Sequence, residues 1–202
     1  TIPDVNTQIA EFFNGTLDFL WNVPADQAEK LEAMGRYEVV NAPAMRVGYI
    51  SMDAAGRSGD SPLTDKRVRQ AIYHAIDRQT ILDALVKGSS KVVDSACAPV
   101  QTACAQDLPS YEYDPEKAKA LLAEAGYADG FTIDFYAYRD RPYAEAMMGF
   151  LDAVGIKTNL NYMQYAALRE QHRKGEVPMT FLTWGSNSVA DASAMTAEFF
   201  TG

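Results

Sequence analysis

The sequence predicts an α/β fold whose strands pair at least partly in parallel. Helical and strand-like segments alternate along most of its 202 residues, the pattern of a sheet with helices laid on its faces. Residues 131–138 alternate as a half-buried strand does, and 179–184 form an apolar run long enough for an inner strand. A chain of this length, 48% hydrophobic and 22% charged, holds one sizeable α/β domain or two small ones.

The elements follow in order. Residues 5–13 read as a helix that Gly15 breaks, and Leu17 to Trp21 as a short strand. Pro24 to Met34 is helical, with Ala28, Leu31 and Ala33 among its apolar positions, and Tyr37–Val40 and Met45–Met52 are strands. The Gly-, Ser- and Pro-rich stretch 54–62 is a loop. Thr64 or Asp65 then caps a helix whose apolar stripe is Val68, Ala71, Ile72, Ala75 and Ile76. Asp77 caps the next, with Ile81, Leu82, Leu85 and Val86 inward and Gly88 at its end; the region around Cys97 and Cys104 is irregular. Residues 113–130 specify a helix almost completely. Asp114 is the N-cap, Pro115 suits the first position because its missing N–H needs no partner there, Glu116 complements the dipole, and Gly126 is the stop. The strand at 131–138 precedes a helix over Ala144–Val154 closed by Gly155. Ile156–Met163 is a strand, Tyr165–Lys174 an amphipathic helix and Met179–Trp184 the apolar strand.

Charge and composition exclude several functions. A net charge of −9 and a pI near 4.7 disfavour nucleic acid and anionic membranes as partners. No apolar run is long enough to span a bilayer, and the N-terminus lacks the basic and apolar regions of a signal peptide. The histidines, His74 and His172, lie in separate segments and the two cysteines are not in a Cys-x-x-Cys, so neither a metal nor another cofactor is expected. A hydrolase would have to use Ser186 or an acid pair such as Asp53 and Asp60, yet no nucleophile elbow, phosphate loop, zincin or dinucleotide fingerprint accompanies them. A local disulfide between Cys97 and Cys104 is sterically possible; two unpaired thiols are the alternative.

Several strings occur in an order that resembles a known family. They are Phe12-Phe-Asn-Gly-Thr-Leu-Asp18, Arg46-Val-Gly-Tyr-Ile-Ser51, Pro62-Leu-Thr-Asp-Lys-Arg-Val-Arg-Gln-Ala-Ile72 continuing to Ala75-Ile-Asp-Arg78, Tyr113 to Gly130, Val154-Gly-Ile156 and Thr183-Trp-Gly185. Together they resemble the extracellular solute-binding proteins of the dipeptide, oligopeptide and nickel ABC importers. The resemblance implies a type II periplasmic-binding-protein lobe with a mixed sheet flanked by helices. It implies a non-enzymatic, extracytoplasmic or periplasmic receptor that captures a small peptide or related solute between two lobes and delivers it to the permease subunits of a transporter. An oligosaccharide, an opine or a metal chelate is the alternative cargo. Residues 1–202 would be most of the second, C-terminal lobe, with the family pattern continuing beyond Phe199-Phe-Thr-Gly202. The export that the resemblance implies favours the Cys97–Cys104 disulfide.

The same resemblance nominates ligand-binding residues. Arg141-Pro142-Tyr143 matches the triplet whose arginine pairs with a peptide carboxylate, and a guanidinium fork suits that partner. The stretch from this triplet to Val154 is several residues shorter than in the family, and the neighbouring Arg139 can take the role. Asn187 stands where those members carry an aspartate for the ligand ammonium; it brings no charge, and Asp191 is the replacement from a shifted loop. Trp184 is placed to stack on a ligand. Tyr136, Tyr138 and Tyr143 offer apolar area with a polar tip for the cleft wall, Tyr136 and Tyr138 on one face of their strand.

Overall fold

Asp4 accepts the Thr7 amide at 2.8 Å and caps helix α1 (Val5–Phe13). The computed structural model describes residues 2, 4–42, 44–185 and 189–200. They divide into a smaller unit, Thr1–Ala42 with Val86–Ser89, and a larger one, Pro43–Leu85 with Ser90–Gly202. In the smaller unit, α2 (Ala25–Ala33) follows Pro24 and buries Leu31. Phe12 lies 4.9 Å from the Tyr37 ring, and the Arg36 guanidinium stands 4.8 Å above that ring on its other contact. The strands expected at 17–21 and 37–40 do not form; these segments are turns and irregular chain. A strand needs a neighbour to take its N–H and C=O groups. The sheet draws on no residue before Arg46, so Asn22 and Gly35 instead turn the chain through left-handed geometry.

The larger unit is built on four strands: β1 (Arg46–Met52), β2 (Phe131–Ala137), β3 (Ile156–Tyr162) and β4 (Met179–Gly185). Their order is β1–β4–β2–β3. β2 pairs in parallel with β3 and with β4, while β1 runs antiparallel to β4 with Arg46 opposite Gly185 and Met52 opposite Met179. Helices join them: α3 (Lys66–Ala75), the short α4 (Arg78–Ile81), α5 (Pro115–Glu124), α6 (Arg141–Asp152), α7 (Tyr165–Lys174) and α8 (Ser193–Phe200). α6 and α7 are the crossovers that parallel pairing demands.

Alternation divides the sheet's faces. Ile133, Phe135 and Ala137 of β2, Met179 and Phe181 of β4, and Ile156 of β3 are buried together with Val68, Ala71 and Ile72 of α3, Ala118 and Leu122 of α5, and Ala144 and Leu151 of α6. Each large side chain in this cluster contributes about 1.5–3 kcal/mol by leaving water. Two boundaries depart from the sequence reading. Beyond α4 the helix widens into a π-turn over Leu82–Val86. This changes the angular phase of the apolar positions, so Leu85, expected inward, is exposed. α6 starts at Arg141 rather than Ala144, because Pro142 is accepted in a first turn. One close approach fixes the starts of β2 and β3. Gly130 has φ +76°, its Cα is packed against Gly155, and a Cβ there would lie 2.1 Å from the Gly155 carbonyl oxygen.

The capping carboxylates set the acid limit of stability. Asp65 accepts from the Arg67 guanidinium at 2.6 Å and from the Arg67 amide at 2.8 Å, which hold its pKa down at about 2 against an ordinary 3.8. Asp4, through the Thr7 hydroxyl and amide, and Asp77, through the Thr80 amide and hydroxyl, are also lowered. The folded-state values lie below the unfolded ones, so between them the unfolded chain binds more protons and stability decreases as the pH is lowered. The urea midpoint is therefore expected to be insensitive to these groups above pH 3.8 and to decline as pH is lowered from there toward 2. A midpoint constant through that window would show that the caps contribute no pH-dependent stability.

Candidate functional site

Parallel strands in the middle of a sheet present their carboxyl ends to one edge, and crossovers leaving to opposite sides open a crevice there. β2 and β4 are such a pair. Immediately after β2 come Tyr138 and Arg139, and the last turn of β4 supplies Thr183, Trp184 and Gly185. The Tyr138 hydroxyl lies 3.1 Å from Thr183 Oγ1, and Arg139 Nη1 donates to the same oxygen at 3.5 Å. Arg139 also donates from Nε to Asp140 Oδ2 at 2.6 Å. Burial works against the Arg139 charge, but Asp140 outweighs it and the guanidinium holds its proton more tightly than usual. The Tyr138 ring packs on Tyr165, with centroids 4.9 Å apart. On β1, burial first, then the neighbouring Tyr138 and Tyr165 phenols, push the Tyr49 hydroxyl up to about 12, so it stays neutral.

Arg141 has a different setting from Arg139. Asp140 adopts left-handed geometry (φ 50°), the chain turns into α6, and Arg141 becomes its first residue. Its Nε donates to Glu145 one helical turn on at 2.7 Å, and its guanidinium lies 5.8 Å from the Tyr162 ring centroid. The Arg141 side chain is 59% exposed against 40% for Arg139. Tyr143 packs edge-on against Phe181 and donates its hydroxyl to the Leu85 carbonyl at 3.4 Å. Tyr136 lies one strand repeat behind Tyr138, in register with Thr180; burial, then Asp134 and Glu176, raise its pKa. Trp184, half-buried, pairs in register with Val47 and so faces the opposite side from Thr183. Asn187, like Ser186, lies outside the described residues. Asp53 accepts both the amide and the hydroxyl of Ser58 and so fixes a turn.

Two candidates escaped the sequence reading. Arg46 reaches Thr183 Oγ1 from β1 through its Nη1 at 3.5 Å, and Thr183 is the oxygen on which Arg46, Tyr138 and Arg139 meet. The positions are 137 and 44 residues from Thr183, so no local spacing could have announced the contact.

Residues 189–193 are held by the disulfide loop. Cys97 and Cys104 form a disulfide with Cα atoms 5.8 Å apart, as expected. Inside its loop Gln101, buried, donates to the Val189 and Asp191 carbonyls at 3.1 Å while its side-chain oxygen accepts the Ala98 amide. Thr102 adds a short parallel bridge to Asp191. Asp191 Oδ1 accepts the Ser193 amide at 2.8 Å at the start of α8, and the bonds from Ser193 lower its pKa. Asp191 therefore has a capping task in the lobe.

Residues 1–202 match the family model for the middle region of the bacterial extracellular solute-binding proteins, family 5. The chain is 31% identical over 198 residues to the glutathione-binding protein GsiB of Salmonella choleraesuis (strain SC-B67), covering 93% of this chain and 37% of that protein. It is 28% identical over 195 residues to heme-binding protein A of Haemophilus influenzae (strain ATCC 51907 / DSM 11121 / KW20 / Rd), covering 93% of this chain and 35% of the relative. The chain thus spans little more than a third of the length of these relatives. Its fold superposes on the ABC transporter-associated periplasmic binding protein DppA of Helicobacter pylori in complex with the peptide STSA. There the TM-score is 0.83 at 24% identity, over 97% of this chain and 38% of that one. The mixed sheet flanked by helices is that of a type II periplasmic-binding-protein lobe.

Proposed function

The chain belongs to the bacterial extracellular solute-binding proteins, family 5, and on that premise we propose that it is the second lobe of a two-lobed receptor. The receptor captures a small peptide or related solute and presents it to the permease subunits of an ABC importer. The observation that carries this reading is the convergence of Arg139, Tyr138 and Thr183 at the carboxyl ends of β2 and β4. That is where an open α/β sheet offers its crevice. A half-exposed guanidinium there has one edge engaged by Asp140 and another turned to a hydroxyl that a ligand oxygen can displace. In a closed, drier cleft it would hold a carboxylate by charge-assisted hydrogen bonds. Aromatic area from Tyr138 and Tyr165, with Trp184 on the other side of the β4 end, supplies a wall. The work is capture, with no bond made or broken.

Extracytoplasmic placement fits the Cys97–Cys104 bridge, since such bonds persist in oxidising compartments. No helix of the described residues is long and apolar enough to cross a membrane, and the permease would provide the passage. A carboxylate-bearing opine or metal chelate is the alternative cargo, and it would need no partner for a free ammonium.

Thermal unfolding of the full-length protein against a panel of di- and tripeptides, opines and chelates tests the reading. A ligand present at a hundred times its Kd should stabilise the fold by about 2.7 kcal/mol. Turnover of a bound compound, or no stabilisation by any member of the panel, would refute it.

A further inference from the structure

The antiparallel strand β1 brings a second cation to the same oxygen. Arg46 stands opposite Gly185 and Gly48 opposite Thr183, so these four residues share one face of the β1–β4 ladder. Two of them are glycines: the Phe181 ring covers Gly48, 3.4 Å from where its Cβ would stand, and Arg46 itself lies over Gly185. Nε and Nη2 of Arg46 pass 3.8 Å from where a Gly185 Cβ would stand, and its Nη1 reaches Thr183 Oγ1 at 3.5 Å. Arg139 Nη1 is also 3.5 Å from that oxygen, so the two guanidiniums stand no farther apart than twice that distance.

Two like charges so placed repel each other unless an anion sits between them. Asp140 serves Arg139. Among the described residues no carboxylate forms an ion pair with Arg46. The group therefore has two cations, one anion and two neutral hydroxyls, those of Thr183 and Tyr138. An anion joining the two guanidiniums would balance the second charge, which water otherwise screens because Arg46 is exposed. The shape of the gap, two planar forks converging on a single hydroxyl oxygen, suits a group with two acceptor oxygens.

We propose that Arg46 and Arg139 form a two-guanidinium clamp, joined at Thr183, that takes a carboxylate of an anionic organic solute between them. The inference rests on the capture reading above and adds to it a second ligand-binding arginine, Arg46. An incoming carboxylate takes the place of Thr183 Oγ1 as acceptor for both Nη1 groups, and the Thr183 and Tyr138 hydroxyls turn to donate to it. A neutral solute of the same shape would leave Arg46 without an anion, so the clamp selects for charge as well as fit.

The test uses the full-length protein and two probes, a mixed tripeptide pool with free C-terminal carboxylates and the same pool as C-terminal amides, titrated by calorimetry. The wild type should prefer the acid pool by about thirtyfold or more, a charge-assisted pair being lost with the amide. Arg46→Gln should reduce that preference to a few-fold with an unchanged melting temperature, because Arg46 is exposed, and Arg46→Lys should retain part of it. The acid-to-amide ratio is measured within each variant, so a merely structural loss would lower both affinities and leave the ratio intact. Equal binding of the two pools by the wild type would overturn the clamp and leave solute capture standing. A ratio unchanged in Arg46→Gln would remove Arg46 from the site. Failure of both pools to bind would overturn the clamp together with peptide capture.

Discussion

Gly130→Ala is expected to cost the larger unit about 2–5 kcal/mol of folding stability, from left-handed strain and overpacking together. The residue sits at φ +76°, where a side chain is strained, and its new Cβ would press to 2.1 Å from the Gly155 carbonyl oxygen. That oxygen is not free to retreat, since it accepts the Phe131 amide at 3.2 Å and so begins the β2–β3 ladder. Relief requires the two strand starts to separate, and the separation propagates into the pairing of Phe131 with Ile156 and of Ile133 with Thr158. Ile156 and Phe135 lie in the core beyond it, both fully buried. Urea denaturation followed by circular dichroism measures the loss. A destabilisation under about 1 kcal/mol would mean that the strands accommodate the methyl group without strain. Gly126→Ala is the control, since a Cβ there would meet nothing within 4 Å although its φ is +90°; it isolates the conformational part of the cost.

Arg139→Ala is expected to weaken binding of a carboxylate-bearing solute by ten- to a hundredfold, whereas Arg141→Ala should change it by less than about twofold. The first figure corresponds to about 1.5–3 kcal/mol for hydrogen bonds to a charged group. It is not larger because the Arg139 side chain is 40% exposed and solvent screens part of the pair. The contrast follows from one backbone residue. Asp140 turns through left-handed geometry between them, leaving Arg139 at the strand end beside Thr183 and committing Arg141 to a helical pair with Glu145. Titration of both variants with the same solute decides the matter, and an Arg141 variant weaker than the Arg139 variant would reverse the assignment.

Much of the architecture was legible because local chemistry specified it. Asp114 accepts the Lys117 amide at 2.9 Å and α5 starts at Pro115, as their order in the sequence requires. The alternation of 131–137 became a central strand, and α7 occupies the residues its amphipathic pattern marked. Failures occurred where an element depends on something distant. Residues 17–21 and 37–40 have strand-like composition but no ladder to join, and Leu85 was misplaced because a π-turn altered a helical period that no residue type announces. At the candidate site the split is similar. Arg139 was nominated as the neighbour of the Arg141 triplet that the family resemblance singles out, and Tyr138 from the alternation of residues 131–138. Arg46 and Thr183 were not, because their contact exists only once β1 has closed against β4. The choice between Arg139 and Arg141 turned on the φ angle of Asp140, which sequence does not display.

That closure has a consequence for biosynthesis. In the order β1–β4–β2–β3, β4 is the sole bridge between β1 and the rest of the sheet, and Arg46 is opposite Gly185. Residues 53–178 must leave the ribosome between β1 and β4, so β1 stays unpaired while they are made. Pairings this remote make folding slow, and an open edge waiting that long invites association with other chains. Covering β1 until β4 is available would therefore protect the newly made chain from such association.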